Sequence, residues 1–190
     1  MKDRALVIIT LLIIAIIAIV AIVRAFIHPS AQLQNASQAP VVGSAQLGHT
    51  APDFTIPSTA GIFTLSKQTR PVFLEVFASW CPHCQRETRV LNKLYAAYKT
   101  RVAFIAIPGN STGMDGSSPE SEADLLAFQE RFNVQYPIAV FDPQLTAANL
   151  YIQGGYPTIA IIGRNKKILY LTSGEATYAQ LAKALDSALK

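Results

Sequence analysis

Residues 73–87 read FLEVFASWCPHCQRE and contain both cysteines of the chain, Cys81 and Cys84. The segment starts as a short apolar run, which is typical of a buried central strand. Beyond Cys84, apolar residues recur at helical spacing, so a strand is predicted to lead into a helix at the cysteine pair. Two cysteines this close together could form a structural disulfide, contribute to a metal site, or open and close as a redox pair.

The predicted helix gives the two thiols different surroundings. Pro82 suits the first turn, where its missing N–H loses no hydrogen bond. A thiolate on Cys81 would face the free N–H groups and the positive end of the helix dipole. Cys84 lies one turn later and is expected to be deeper. Cys81 is therefore the predicted attacking thiol and Cys84 the resolving thiol, and His83 could add positive charge or a hydrogen bond near the Cys81 sulfur.

The other two roles for the cysteine pair fit the sequence less well. A structural disulfide that closes so short a loop removes little chain entropy. A metal site usually needs four ligands, and beyond the two cysteines the chain offers only His28, His49 and His83. We therefore expect a redox-active Cys81–Cys84 disulfide, no bound metal and no cofactor. A metallochaperone that uses the two thiols as ligands is kept as an alternative of a different class.

The amino-terminal part of the chain carries a long apolar run. Residues 5–23 contain no charged side chain, and Thr10 is their one polar residue. As a helix, this stretch would be roughly 28 Å long, which matches the hydrocarbon core of a bilayer. The apolar region of a cleaved secretory signal is usually shorter, about 7–15 residues. Residues 1–27 are therefore predicted to form a single-pass transmembrane anchor.

The residues that flank this run predict its orientation. Lys2 and Arg4 precede it and Arg24 follows it, which slightly favours a cytoplasmic amino terminus. The rest of the chain would then lie outside the cytoplasm, in a periplasm or at the cell surface. A dithiol meets oxidants there, so a membrane redox partner would be needed to recycle it.

Composition divides the remaining chain into a linker and a domain. Residues 28–46 are rich in Ala, Gln and Ser and contain no acid or lysine, which predicts a flexible linker. Residues 47–190 are enough for one domain with its own core, expected to be monomeric. Of the formal net charge of +4, half belongs to residues 1–28, so the domain is nearly neutral. This charge does not suit a nucleic-acid-binding protein.

The pattern of apolar runs and turn residues predicts an α/β domain with a mixed central sheet flanked by helices. Two buried strands joined by the helix after the cysteines should be parallel. The last helix should begin with the capping box Thr177–Gln180 and bury Tyr178, and an earlier helix should be capped by Ser118. The predicted elements are a hairpin at 47–65, strands at 71–78, 101–109 and 136–142, helices at 119–132 and 144–152, and a hairpin over 154–174.

Three segments together carry a family resemblance. FLEVFASWCPHCQRE resembles the active-site segment of thioredoxin-fold oxidoreductases. LGHTAPDFTIPSTAGIFTLS before it and GGYPTIAIIG after it are similar to the membrane-anchored, extracytoplasmic TlpA/ResA-like branch of that fold. The resemblance covers residues 47–190. It implies a thiol–disulfide oxidoreductase that exchanges its dithiol with cysteines of exported proteins, such as the apocytochromes of cytochrome c biogenesis.

The resemblance also implies roles for single residues. Pro157 stands where this fold places a cis-proline loop against the dithiol, and the backbone of Tyr156 would pair with the substrate peptide. Glu75 matches a buried acid that accepts the proton of the resolving thiol. Burial of a carboxyl group without a role would be costly, so a role is expected here. Glu87 matches an acid of the ResA-like branch, and Trp80 is expected to pack over the dithiol. Pro82 and His83 would tune the redox chemistry.

The sequence contains opposing indications of the direction of electron flow. TlpA/ResA-like proteins are generally reductants, and the overall architecture therefore favours a reductase. The tetrapeptide Cys-Pro-His-Cys, however, is that of DsbA-type oxidants, so a DsbA-like oxidant stays open. TAPDFTI also occurs in peroxiredoxin-like chains, but those enzymes have a threonine where this chain has Ala78. A peroxidase is therefore disfavoured.

The assignment of attacking and resolving thiols predicts an asymmetric trapping experiment. Cys84→Ala should accumulate mixed disulfides with exported proteins, because the intermediate formed by Cys81 cannot be resolved. Cys81→Ala should accumulate none. Non-reducing gels of membranes from cells that express each variant measure this difference, and equal trapping by both variants would refute the assignment.

Overall fold

The computed structural model describes Ile16, residues 43–140 and residues 142–190. Apart from Ile16, the predicted anchor over residues 1–27 lies outside the described residues, as does the linker up to residue 42. In the part of the chain that the structure describes, no helix is both long enough and apolar enough to cross a membrane.

The described domain is α/β with a mixed sheet, as predicted. A four-stranded sheet has the order β4-β3-β5-β6, and a separate two-stranded sheet pairs β1 with β2. β3 and β4 are parallel, whereas β5 is antiparallel to both β3 and β6. In chain order, the elements are β1 (Thr55–Ser58), β2 (Gly61–Thr64), β3 (Val72–Phe77), α1 (Pro82–Tyr98), β4 (Ala103–Pro108), α2 (Glu122–Arg131), α3 (Thr146–Tyr151), β5 (Thr158–Ile162), β6 (Ile168–Ser173) and α4 (Tyr178–Ala188).

β3 is the central strand, and every one of its residues is buried. Because side chains alternate across a strand, Val72, Leu74 and Val76 join the core on the side of the β1–β2 hairpin and α3. Phe73 and Phe77 join the core on the side of α1, α2 and α4. Glu75 has the same parity as these two phenylalanines, so its carboxyl lies on the α1 side of the sheet.

The packed domain begins earlier than residue 47. Gly43 donates a backbone hydrogen bond to Ile152 at 2.6 Å, and Ala45 donates one to Leu150 at 2.9 Å. Ala45 is also buried. A Cβ atom at Gly43 would lie 2.3 Å from the Leu150 oxygen, so this close approach of two backbones requires glycine. The last residues of the predicted linker therefore pack on the domain.

The predicted start of α2 was wrong. α2 begins at Glu122, not at residue 119, and its cap is Ser121. Ser121 and Asp124 form a reciprocal capping box, which satisfies two N–H groups at the helix start. Ser118, the predicted cap, instead donates its hydroxyl to Asp115 at 2.6 Å in the preceding turn.

The predicted strand at 136–142 was also wrong. Among the described residues of this segment, only Ile138 and Ala139 form bridges, one to β4 and one to β1. Pro137 has no N–H, and Val140 hydrogen-bonds to Pro57, so the segment crosses from one sheet to the other instead of following β4. At the last helix the predicted capping box is present, but Tyr178 is 41% exposed because it lies in the first turn on the solvent side.

Candidate active site

The cysteine pair lies where β3 ends and α1 begins. Cys81 is the N-cap residue in extended conformation, and Pro82 is the first helical residue. The Cys81 N–H donates to Ala78 at 3.0 Å, and the Cys81 carbonyl accepts from Gln85 at 3.0 Å. Both thiols are free, with exposed fractions of 5% for Cys81 and 1% for Cys84. Cys84 is thus the deeper thiol, as predicted.

The loop that leads into β5 faces the attacking thiol. The Tyr156–Pro157 peptide bond is cis, as predicted. Sγ of Cys81 lies 3.8 Å from the Tyr156 carbonyl oxygen, and the Tyr156 hydroxyl donates to Gly109. The Trp80 ring packs edge-on against Tyr156, with 6.3 Å between the ring centroids. Trp80 therefore packs on the residue whose carbonyl faces the Cys81 sulfur.

Two buried acids lie on the inner side of the dithiol. Glu75 is 2% exposed and accepts a hydrogen bond from the Tyr136 hydroxyl at 3.4 Å. Burial, and then the nearby charge of Glu87, raise the pKa of Glu75 to about 8. Glu87 is equally buried and accepts the Ala176 N–H at 3.2 Å. Burial raises the pKa of Glu87 to about 7, although the Ala176 hydrogen bond opposes the shift.

The same surroundings disfavour ionisation of the resolving thiol. Burial first, and then the charge of Glu75, raise the pKa of Cys84 above its usual range, whereas a backbone hydrogen bond at Ala78 acts in the opposite direction. Cys84 therefore stays a protonated thiol near neutral pH. Since a thiol must lose its proton before it attacks a disulfide, the Cys84 proton needs an acceptor close by, and Glu75 supplies a carboxylate in this pocket.

His83 lies on the outer side of the site. Its side chain is 61% exposed, and its Nδ1 lies 2.6 Å from Oε1 of Glu175. Arg86 pairs with the same carboxylate oxygen, and its Nη2 lies 2.7 Å from the His83 ring nitrogen. The structure thus pairs His83 with Glu175 rather than with the Cys81 sulfur. Of the two predicted effects of His83 on Cys81, only the influence of its charge is compatible with this geometry.

Some residues of the site were missed by sequence reasoning. Glu175 stands 92 positions after His83 in the chain, so no local pattern could indicate the pair. Tyr136 belongs to the segment that was misassigned as a strand. Ser79, inside the cysteine motif, donates its hydroxyl to Glu120 at 2.5 Å, and burial raises the pKa of Glu120 to about 7. The signal available in the sequence was a serine directly after a buried strand, since a polar residue buried there needs a partner, and the structure does bury Ser79.

An asymmetric cysteine pair at a helix start, with a cis-proline loop against one sulfur and buried acids beside the other, defines the thioredoxin-fold dithiol oxidoreductases as a class. A family model described as Redoxin matches residues 46–186. The chain is 31% identical over 144 residues to the thiol–disulfide oxidoreductase ResA of Geobacillus kaustophilus, covering 74% of this chain and 77% of that protein. It is 27% identical over 143 residues to the thioredoxin-like protein YneN of Bacillus subtilis, covering 74% and 79%.

A solved structure agrees with these relatives. A protein from Chlorobium tepidum, assigned as the thiol:disulfide interchange protein DsbE, superposes with a TM-score of 0.66 and 28% identity, covering 77% of this chain and all of that one. The chain therefore belongs to the Redoxin family, in its TlpA/ResA-like branch, and it is a thiol–disulfide oxidoreductase.

The raised pKa of Glu75 predicts a pH dependence that Glu75→Gln should remove. With a pKa of about 8 in the folded chain, only about one in ten Glu75 side chains is ionised at pH 7. If the carboxylate accepts the Cys84 proton, the rate at which Cys84 resolves a mixed disulfide should increase with pH. The increase should be up to tenfold for each pH unit until about pH 8. Glu75→Gln should be slower and nearly independent of pH, as measured by stopped-flow kinetics.

Stability gives an independent check of the same pKa. Glu75 ionises near pH 4.5 in an unfolded chain and near pH 8 in the folded one, so its contribution to stability is present at low pH and is lost as the pH rises between these values. Relative to Glu75→Gln, the wild type should therefore lose stability from pH 5 to 8 in urea unfolding. Glu130→Gln, at an exposed position, is the control. Parallel pH profiles of wild type and Glu75→Gln would show that folding does not raise the pKa of Glu75.

Proposed function

We propose that this protein is a membrane-anchored, extracytoplasmic oxidoreductase that reduces disulfides in exported proteins. One observation carries the proposal: Sγ of Cys81 lies 3.8 Å from the Tyr156 carbonyl, while Cys84 is buried beside Glu75. A partner's backbone that pairs with Tyr156 would bring its disulfide directly to Cys81, and Cys84 would be protected from the partner. This is the arrangement that a two-step exchange requires.

The exchange is balanced in electrons and protons. The Cys81 thiolate attacks one sulfur of the partner's disulfide, forms a mixed disulfide and releases the other sulfur as a thiolate, which takes up a proton. Cys84 then gives its proton to Glu75 and attacks Sγ of Cys81, which releases the second partner sulfur. Two electrons have moved to the partner, and the protein holds a Cys81–Cys84 disulfide. A membrane redox partner must reduce this disulfide before the next cycle.

The charges around the dithiol support the reducing direction. A dithiol is a stronger oxidant when its reduced, ionised form is stabilised, and a positive charge near Cys81 does this. Here the carboxylate of Glu175 pairs with Arg86 and contacts His83, so the positive charge on this side of the dithiol is largely compensated. The buried acids beside Cys84 add negative charge when they ionise, which disfavours a thiolate further. The neighbouring charges therefore weaken the stabilisation of the Cys81 thiolate that the Pro-His dipeptide, typical of oxidants, would otherwise provide.

The redox potential tests the direction. For the full chain equilibrated in glutathione buffers, we expect a Cys81–Cys84 potential nearer to that of thioredoxin, about −270 mV, than to that of DsbA, about −120 mV. Glu175→Gln should leave His83 and Arg86 uncompensated and make the potential less negative by about 10–20 mV. Glu130→Gln is the control. A wild-type potential near that of DsbA would identify an oxidant, and an unchanged potential in Glu175→Gln would show that these charges do not act on the dithiol.

The location is proposed from the sequence. The apolar run within residues 1–27 and the basic residues at its ends support a single membrane span with the catalytic domain outside the cytoplasm. Exported proteins with paired cysteines, such as the apocytochromes of cytochrome c biogenesis, are the substrates that this location would supply.

Labelling of the thiols in intact cells tests this location. A maleimide that cannot cross membranes should label Cys81 in spheroplasts after reduction with a membrane-impermeant phosphine, and the labelled protein should remain in the membrane fraction after alkaline washing. Cys81→Ala is the control for the labelled site. Labelling only after lysis would place the domain in the cytoplasm, and release by the wash would argue against the anchor.

A further inference from the structure

A groove opens next to the attacking cysteine and is lined at one end by Pro82. It has a volume of about 400 Å³ and lies between α1 and the carboxyl-terminal end of α2. Pro82 follows Cys81 directly, and Arg89 lines the groove about two turns further along α1. A chain bound in this groove would therefore reach the dithiol.

The groove is strongly basic. Arg86, Arg89 and Arg131 all line it. Arg86 pairs with Glu175, whereas neither Arg89 nor Arg131 forms an ion pair with any carboxylate in the described ranges. The single acid of α1, Glu87, is buried on the opposite face and cannot offset these charges. A nearly neutral domain thus carries two unpaired arginines, Arg89 and Arg131, along this groove.

The far wall of the groove combines charge with an aromatic surface. The Arg131 guanidinium lies over the Phe132 ring, 5.5 Å from its centroid. Phe132 is half-buried and packs against Phe128, with 5.0 Å between the ring centroids, so the position of the ring is set by the core. A concave wall of this kind can accept an apolar side chain between Arg89 and Arg131. This shape favours a peptide as the ligand over the flat surface of a membrane.

We propose that this groove binds an acidic segment of the partner protein, next to the cysteine that reacts with Cys81. From Pro82 to Arg89 the distance along α1 is about 10 Å, which an extended peptide covers in about three residues. The acids should therefore stand three or four positions from the partner's reactive cysteine. The proposal rests on the proposed function, because the bound segment must belong to a protein that exchanges disulfides with this site.

Matched peptides test the groove. Two disulfide peptides would differ only at the third and fourth positions from the cysteine, with Glu-Glu in one and Gln-Gln in the other. Reduction by the full chain in neutral detergent can be followed through Trp80, the one tryptophan of the chain, which lies beside the dithiol. The test variant is Arg89→Gln with Arg131→Gln. The control is Arg164→Gln with Lys167→Gln, which removes two exposed positive charges elsewhere.

The wild type, reduced beforehand, should react with the Glu-Glu peptide with a second-order rate constant about fivefold larger than with the Gln-Gln peptide at low salt. The test variant should lose this preference and keep its activity on the Gln-Gln peptide, and the control should retain the preference. At high salt the preference should shrink in the wild type. No preference in the wild type, or a preference that survives in the test variant, would overturn the proposal.

Two further outcomes separate the alternatives. If neither peptide is reduced by the wild type, the proposed function fails independently of the groove. If the test variant keeps the peptide preference, and vesicles with anionic lipid inhibit the wild type but not the test variant, the arginines face a membrane surface, and the acidic-segment proposal is wrong.

Discussion

The burial of the Glu75 carboxyl is the constraint on which the chemistry of this site depends. A carboxyl group without exposure prefers its neutral form, which explains why its pKa lies near 8. The Glu75 charge in turn raises the pKa of the Cys84 thiol. Thiol and acid thus become a pair in which each charge disfavours the other, so both groups stay largely protonated at neutral pH. The hydrophobic sheet creates this pair, since the same residues on a surface would titrate separately.

The loop between β6 and α4 joins the inner and outer parts of the site. Glu175 contacts the exposed side chains of His83 and Arg86, and the next residue, Ala176, donates its N–H to the buried Glu87. A movement of this loop would therefore change the charge on both sides of the dithiol together. The Pro-His dipeptide does not stand alone beside Cys81, because Arg86 and Glu175 both lie against His83.

Prediction from sequence worked best where the signal was local. The segment from β3 through Cys81 to α1 shows a short apolar run typical of a buried strand and then apolar residues at helical spacing. Pro82 marks the first helical residue. Prediction of the start of α2 failed because two nearby serines, Ser118 and Ser121, could each cap the helix. Prediction of a strand at 136–142 failed because the apolar run contains Pro137. Both errors reflect competition for backbone hydrogen bonds, which only the packed chain resolves.

The sequence by itself determined the dithiol, its order at the helix start, the position of the cis-proline and the acid within the central strand. The dithiol, its order and the place of the acid in the strand follow from residue type and short-range periodicity, whereas the cis-proline was implied by the family resemblance. The tertiary structure alone decided that Glu175 compensates His83 and Arg86, that Tyr136 reaches Glu75, and that Arg89 and Arg131 line one groove. These contacts join residues more than 40 positions apart, and chain folding rather than local pattern brings their charges together.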